Sequence, residues 1–90
     1  MADSYFIATE FKFQALVKAE LAGARAGHGP IATAHEGYAV ILEELDEFWE
    51  EVRKKRKDRD PHLMLHELVQ LAAMVQRTAE DLELVEGGRP

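Results

Sequence analysis

Ninety residues, 47 % of them apolar and 31 % charged, suit one compact domain: the chain is too apolar to stay disordered and too charged to embed in a membrane. The longest uninterrupted apolar runs, such as 71–75, span five residues against the roughly 20 that a bilayer demands. No basic-then-apolar leader opens the sequence, and the absence of Cys removes disulfides, thiolate zinc sites and thiol nucleophiles. A net charge of −6 works against indiscriminate attraction to nucleic acid or anionic lipid and favours cations, or anions bridged by cations. The expectation is a cytoplasmic protein with no membrane partner and nucleic acid disfavoured.

Turn and breaker signals at 26–30, 58–61 (Asp-Arg-Asp-Pro) and 87–90 divide the chain into three long segments. Over about 4–25, Phe6, Phe13, Leu16, Val17 and Leu21 approximate a helical stripe with Ser4 as candidate N-cap. Over about 33–57, Tyr38, Ile41, Leu45, Phe48 and Val52 recur at three- and four-residue steps, a helical period with no strand alternation. Asp60-Pro61 reads as N-cap and first helical position of a third helix over about 61–86, striped by Met64, Leu68, Leu71, Val75, Ala79 and Leu82 and stopped by Gly87. The predicted fold is all-α, a single domain over 1–90 of three long antiparallel helices. Its apolar edges need one more helical surface, so a bundle completed by oligomerisation, a homodimer or homotetramer, is expected.

Six acids crowd 43–51: Glu43, Glu44, Asp46, Glu47, Glu50 and Glu51. Like charges three or four apart on a helix repel, so the cluster requires full solvation or a counter-cation. At 100° per residue, Glu43 falls opposite the apolar stripe, whereas Glu44, followed by Glu47 and Glu51, lies on its flank. On the third helix Glu67 occupies the matching flank, with Gln70 a turn further on. Packed side by side, the two helices bring Glu44, Glu47, Glu67 and Gln70 to one point, an oxygen donor set suited to Mg²⁺ or Mn²⁺. The spacing leaves open an alternative in which these are solvated faces paired with Lys and Arg.

Glu43-Glu44-Leu45-Asp46-Glu47, followed after 19 residues by Glu67-Leu68-Val69-Gln70, resembles the E-E-x-x-E then E-x-x-D signature of the MazG-like all-α nucleoside triphosphate pyrophosphohydrolases. His35-Glu36-Gly37-Tyr38 and Leu71-Ala72-Ala73-Met74 are similar to the surroundings of these motifs in short, phage-type members, and the likeness extends over residues 33–81. The resemblance implies Mg²⁺-dependent hydrolysis of a nucleoside triphosphate between its α and β phosphates. It implies metal ligation by Glu44, Glu47 and Glu67, with Glu43 as an outer or water-orienting carboxylate. Gln70 stands where the family usually has Asp, a neutral amide that adds no charge to the ligand set. A noncatalytic helical oligomer or regulatory binding module with a degenerate metal site is therefore the second reading.

The basic run 53–57 complements the C-terminal end of its helix and can pair with Glu50 and Glu51; Arg53 and Lys54 are the candidates for contacting substrate phosphates. His62 and His66 have a metal-compatible spacing but no accompanying general base, and read as solvated. Phe11, Phe13, Phe48 and Trp49 could stack on a base, or serve in the core or a dimer contact.

Overall fold

The computed structural model describes residues 2–88; Met1, Arg89 and Pro90, and with them the last two positions of the tail punctuation, lie outside the described residues. Three α-helices account for most of it: α1 (Ala2–Gly27), α2 (Ala34–Val52) and α3 (Pro61–Asp81). Single 3₁₀ turns follow at Arg56–Asp58 and Leu84–Glu86. The chain is an all-α domain, and among the described residues no helix is long and apolar enough to cross a membrane.

Helix ends follow local chemistry. Thr33 caps α2, its hydroxyl accepting from Glu36 N at 3.1 Å while the Glu36 carboxylate accepts from Ala32 N at 3.0 Å. Asp60 caps α3 by accepting from His62 N at 2.8 Å, with Pro61 in the first turn. Such caps contribute about 1 kcal/mol each. Ser4 is not a cap, because α1 is already helical at Ala2. The basic run expected to prolong the second helix to 57 does not do so: α2 ends at Val52. Continuing would stack five cations on neighbouring turns, and the residue before Pro61 is held extended. Arg59 Nε instead donates to the Val52 carbonyl at 2.9 Å. The third helix stops at Asp81, short of 86, where Glu83 takes a left-handed conformation (φ 59°) that no α-helix can carry.

The helices form a layer with α3 in the middle. Antiparallel α2 sets Gly37 beside Thr78 and Glu51 beside Asp60. By contrast α1 runs broadly with α3: Leu16 and Glu20 share a cleft with His62 and His66, and Arg25 reaches Asp81 near the C-terminal end of α3. The backbones of α1 and α2 do not approach one another. The core, Val17, Leu21, Val69, Ala73 and Met74, is lined by Phe13, Ala24, Val40, Ile41 and Ala72.

The apolar stripes are therefore only in part the packed faces. On α2 the side turned to α3 carries Gly37, Val40, Ile41, Glu44, Phe48 and Glu51, whereas Tyr38, Leu45 and Trp49 remain 65, 47 and 55 % exposed. On α3 the buried positions are Val69, Ala73, Met74 and Arg77, while Leu68 and Val75 of the expected stripe are exposed. Periodicity locates an apolar arc without saying which neighbour covers it.

α2 and α3 approach closely at Gly37, where an added Cβ would lie 2.5 Å from Thr78 Cγ2 and 3.0 Å from its Oγ1. Thr78 cannot simply rotate away, since Oγ1 donates to the Met74 carbonyl at 2.8 Å. Gly37→Ala should thus destabilise by about 1–3 kcal/mol in urea unfolding, although Ala is the better helix former. Adding Thr78→Ser should recover most of the loss; an unchanged midpoint in the single variant would show that the helices are free to separate there.

Candidate metal centre

Antiparallel packing sets Glu44 and Glu47, on successive turns of α2, opposite Glu67 of α3. One carboxylate oxygen from each lies within 4.8 Å of the other two, forming a triad half-buried at Glu44 and Glu67 and exposed at Glu47. Among the described residues nothing satisfies the inner oxygens: Oε2 of Glu44 and Oε2 of Glu67 are buried without a hydrogen-bond partner. A buried acceptor left unpaired costs about 1–3 kcal/mol, more if charged. The arrangement responds by holding protons. Burial, and then the charge of Glu47 with those of Glu67 and Glu43, pushes the Glu44 carboxyl up to about 7. Glu67 is raised too, by burial first and then by Glu47.

Three carboxylates without His or Cys form a hard donor set that fits a small divalent cation, and its orphaned inner oxygens are the atoms such an ion would satisfy. Glu43 is exposed beside Glu44, while Gln70 is half-buried a turn beyond Glu67 on α3. Arg53 and Lys54 lie past the end of α2, each paired locally. Arg53 stands 3.5 Å from Glu50, and Lys54 donates to Glu51 at 2.8 Å. His62 and His66 are exposed and outside the triad.

Among the described residues two charged groups are buried where the sequence placed none: Glu51, expected on the flank of its helix and paired with the basic run, and Arg77. Glu51 joins the helix ends, accepting from Asp60 N at 3.0 Å as well as from Lys54; those two donors hold its carboxyl below the usual range. The spacing to Lys54 announced a pair but not its burial. Arg77 is buried on α3, donating to the Gly29 carbonyl and lying 3.7 Å from Asp81. Its one sequence signal is a single cation inside an otherwise uncharged stretch, 68–79.

Compared with known protein families, curated proteins and solved structures, the chain matches none of them. Fold and site define its class: a small three-helix domain with an acidic triad able to chelate a divalent cation.

The raised carboxyl fixes a sign. Glu44 titrates at about 7 in the folded chain against 4.5 for a free side chain, so between these values the folded state holds the extra proton and stability falls as pH rises. The melting temperature of the metal-free protein should drop from about pH 5 to about pH 8, and millimolar Mg²⁺ or Mn²⁺ should restore it at the upper end. Differential scanning calorimetry checks both; a flat profile, unmoved by metal, would mean that the triad is solvated and binds nothing.

Proposed function

We propose that the protein is a divalent-metal-dependent nucleoside triphosphate pyrophosphohydrolase, releasing a monophosphate and pyrophosphate, and that its motifs are those of the MazG-like enzymes they resemble. The observation that carries this reading is the pair of buried, unpartnered oxygens on Glu44 and Glu67, facing one another across two helices with Glu47 at the mouth. Mg²⁺ or Mn²⁺ bound there supplies positive charge for the triphosphate oxygens and for the leaving pyrophosphate. Glu44, Glu47 and Glu67 hold the ion, and the Gln70 side-chain carbonyl is a neutral fourth donor. Glu43, exposed next to Glu44 in the sequence, would accept a hydrogen bond from the attacking water and orient it. Arg53 is the freer of the two cations proposed to meet phosphates, because Lys54 is committed to the half-exposed end of the Glu51 bridge.

A pyrophosphate-release assay over a panel of ribo- and deoxynucleoside triphosphates tests the reading. Glu44→Gln removes one of three anionic ligands and should lower turnover by at least about 100-fold with folding intact. Gln70→Asp adds a charged oxygen at the same position and should tighten metal binding. A parent protein that hydrolyses no triphosphate yet binds Mn²⁺ would establish the second reading, a noncatalytic metal-binding helical module, which the amide at Gln70 favours.

The same reading includes a homo-oligomer. Tyr38, Leu42, Leu45 and Trp49 form one exposed arc of α2, and Leu68 and Val75 continue an apolar surface on α3. Clustered exposure on this scale marks an interaction surface. Light scattering should give a dimer or tetramer of the 10.2 kDa chain, and Leu45→Arg should convert it to monomer. A parent protein that is monomeric at micromolar concentration would remove the oligomer.

A further inference from the structure

Along the face of α3 turned to α1, His62, His66, Val69 and Ala73 follow one another at three- and four-residue steps. Val69 and Ala73 are buried in the core, but toward the start of the helix the seam carries two imidazoles where apolar side chains would extend it. On α1, Leu16, Glu20 and Ala24 form a row of their own, and its middle member is a carboxylate. Glu20, His62 and His66 line one cleft of about 360 Å³, with Leu16, Leu65 and Val69 among its apolar walls. We propose that these three side chains form a second metal site, for Zn²⁺, which clips α1 to the N-terminal part of α3.

Residues four apart on a helix project from the same side one turn apart, the spacing at which an imidazole pair grips a single ion. The third donor comes from another helix and is visible only in the fold. Glu20 is half-buried, and among the described residues no hydrogen bond or ion pair engages its side chain or either imidazole. A partly desolvated carboxylate without a partner is unfavourable, and a cation beside it removes that cost. The three ligating atoms are less closely gathered than those of the triad. Both imidazoles are exposed and unheld, so closing on an ion requires only side-chain rotation.

Donor type separates the two sites. Two imidazole nitrogens with one carboxylate oxygen suit Zn²⁺ and leave a fourth position to water, whereas three carboxylates suit Mg²⁺ or Mn²⁺. His66 and Glu67 are neighbours in sequence, yet 100° of rotation turns the first toward α1 and the second toward α2. The position of the site gives it a purpose. The backbone of α1 approaches only that of α3, and Arg25 fastens it to Glu80 and Asp81 at one end. Among the described residues no polar contact joins the two helices at the level of Glu20. Zinc supplies the second fastening there.

The test titrates Zn²⁺ by calorimetry and thermal melting into tag-free protein carrying Glu44→Gln and Glu67→Gln, which disable the triad; the unsubstituted chain in millimolar Mg²⁺ serves beside it. One Zn²⁺ per chain should bind and raise the melting temperature, with Mg²⁺ unable to compete. His62→Ala, His66→Ala and Glu20→Gln should each weaken Zn²⁺ binding at least about tenfold and remove most of the rise, while melting like the parent in the absence of zinc. No Zn²⁺ bound at micromolar concentration overturns the site. Binding that Glu20→Gln leaves unchanged overturns the clip, since the ion is then held by α3 alone. Binding that survives both histidine substitutions puts the ion elsewhere and overturns the proposal as well.

Discussion

Arg77 and Asp81, one turn apart on α3, are buried together, and the hydrogen bonds they make decide where the other two helices go. Asp81 accepts from Ile31 N at 2.8 Å and from Arg25 at 2.6 Å, while Arg77 donates to the Gly29 carbonyl. Burial by itself would raise the Asp81 carboxyl; Arg25, the Ile31 N–H and Arg77 more than offset it and hold the group below its usual range. The loop between α1 and α2 is thereby fastened to the C-terminal end of α3, with Ile31 only 1 % exposed beneath it. Fastened at that point, α1 and α2 descend on either side of α3, and the packing of α2 on α3 brings the carboxylates together.

The inner surface so formed is polar to an unusual degree. Glu44, Glu51, Glu67 and Arg77 all turn inward, while Tyr38, Leu45, Trp49 and Val75 turn to solvent. Burying ionisable groups and exposing apolar ones reverses the arrangement that would maximise the stability of a lone chain. Two of the inward groups join elements: Glu51 accepts from Asp60 N, and Arg77 donates to the Gly29 carbonyl while its Nε lies 3.7 Å from Asp81. Glu44 and Glu67 each keep an unpartnered oxygen: burial and the neighbouring carboxylates push the Glu44 carboxyl up to about 7, a cost that a cation at the triad could relieve.

Three helices, their approximate limits and the cap at Asp60 were legible in the sequence, because they rest on interactions within a few residues: periodicity, side-chain capping and the constraint imposed by Pro61. The flank that carries Glu44, Glu47 and Glu67 was legible too, since helical geometry places residues around an axis whatever surrounds it. The end of α2 at Val52 was not, because it depends on Glu51 reaching Asp60 across the turn. Nor was the left-handed Glu83, a conformation that local preference assigns to Gly or Asn.

What the sequence by itself determined is therefore the set of helices and the angular position of every side chain on them. Only the tertiary structure decided which arc of each helix faces inward. Apolar periodicity measures a preference for burial but does not distinguish the neighbour within the chain from a surface outside it. That choice turned on Arg77, Asp81 and Arg25 with the 29–31 backbone, contacts spanning about fifty residues of sequence. It turned Glu44 and Glu67 inward and left part of each apolar stripe exposed.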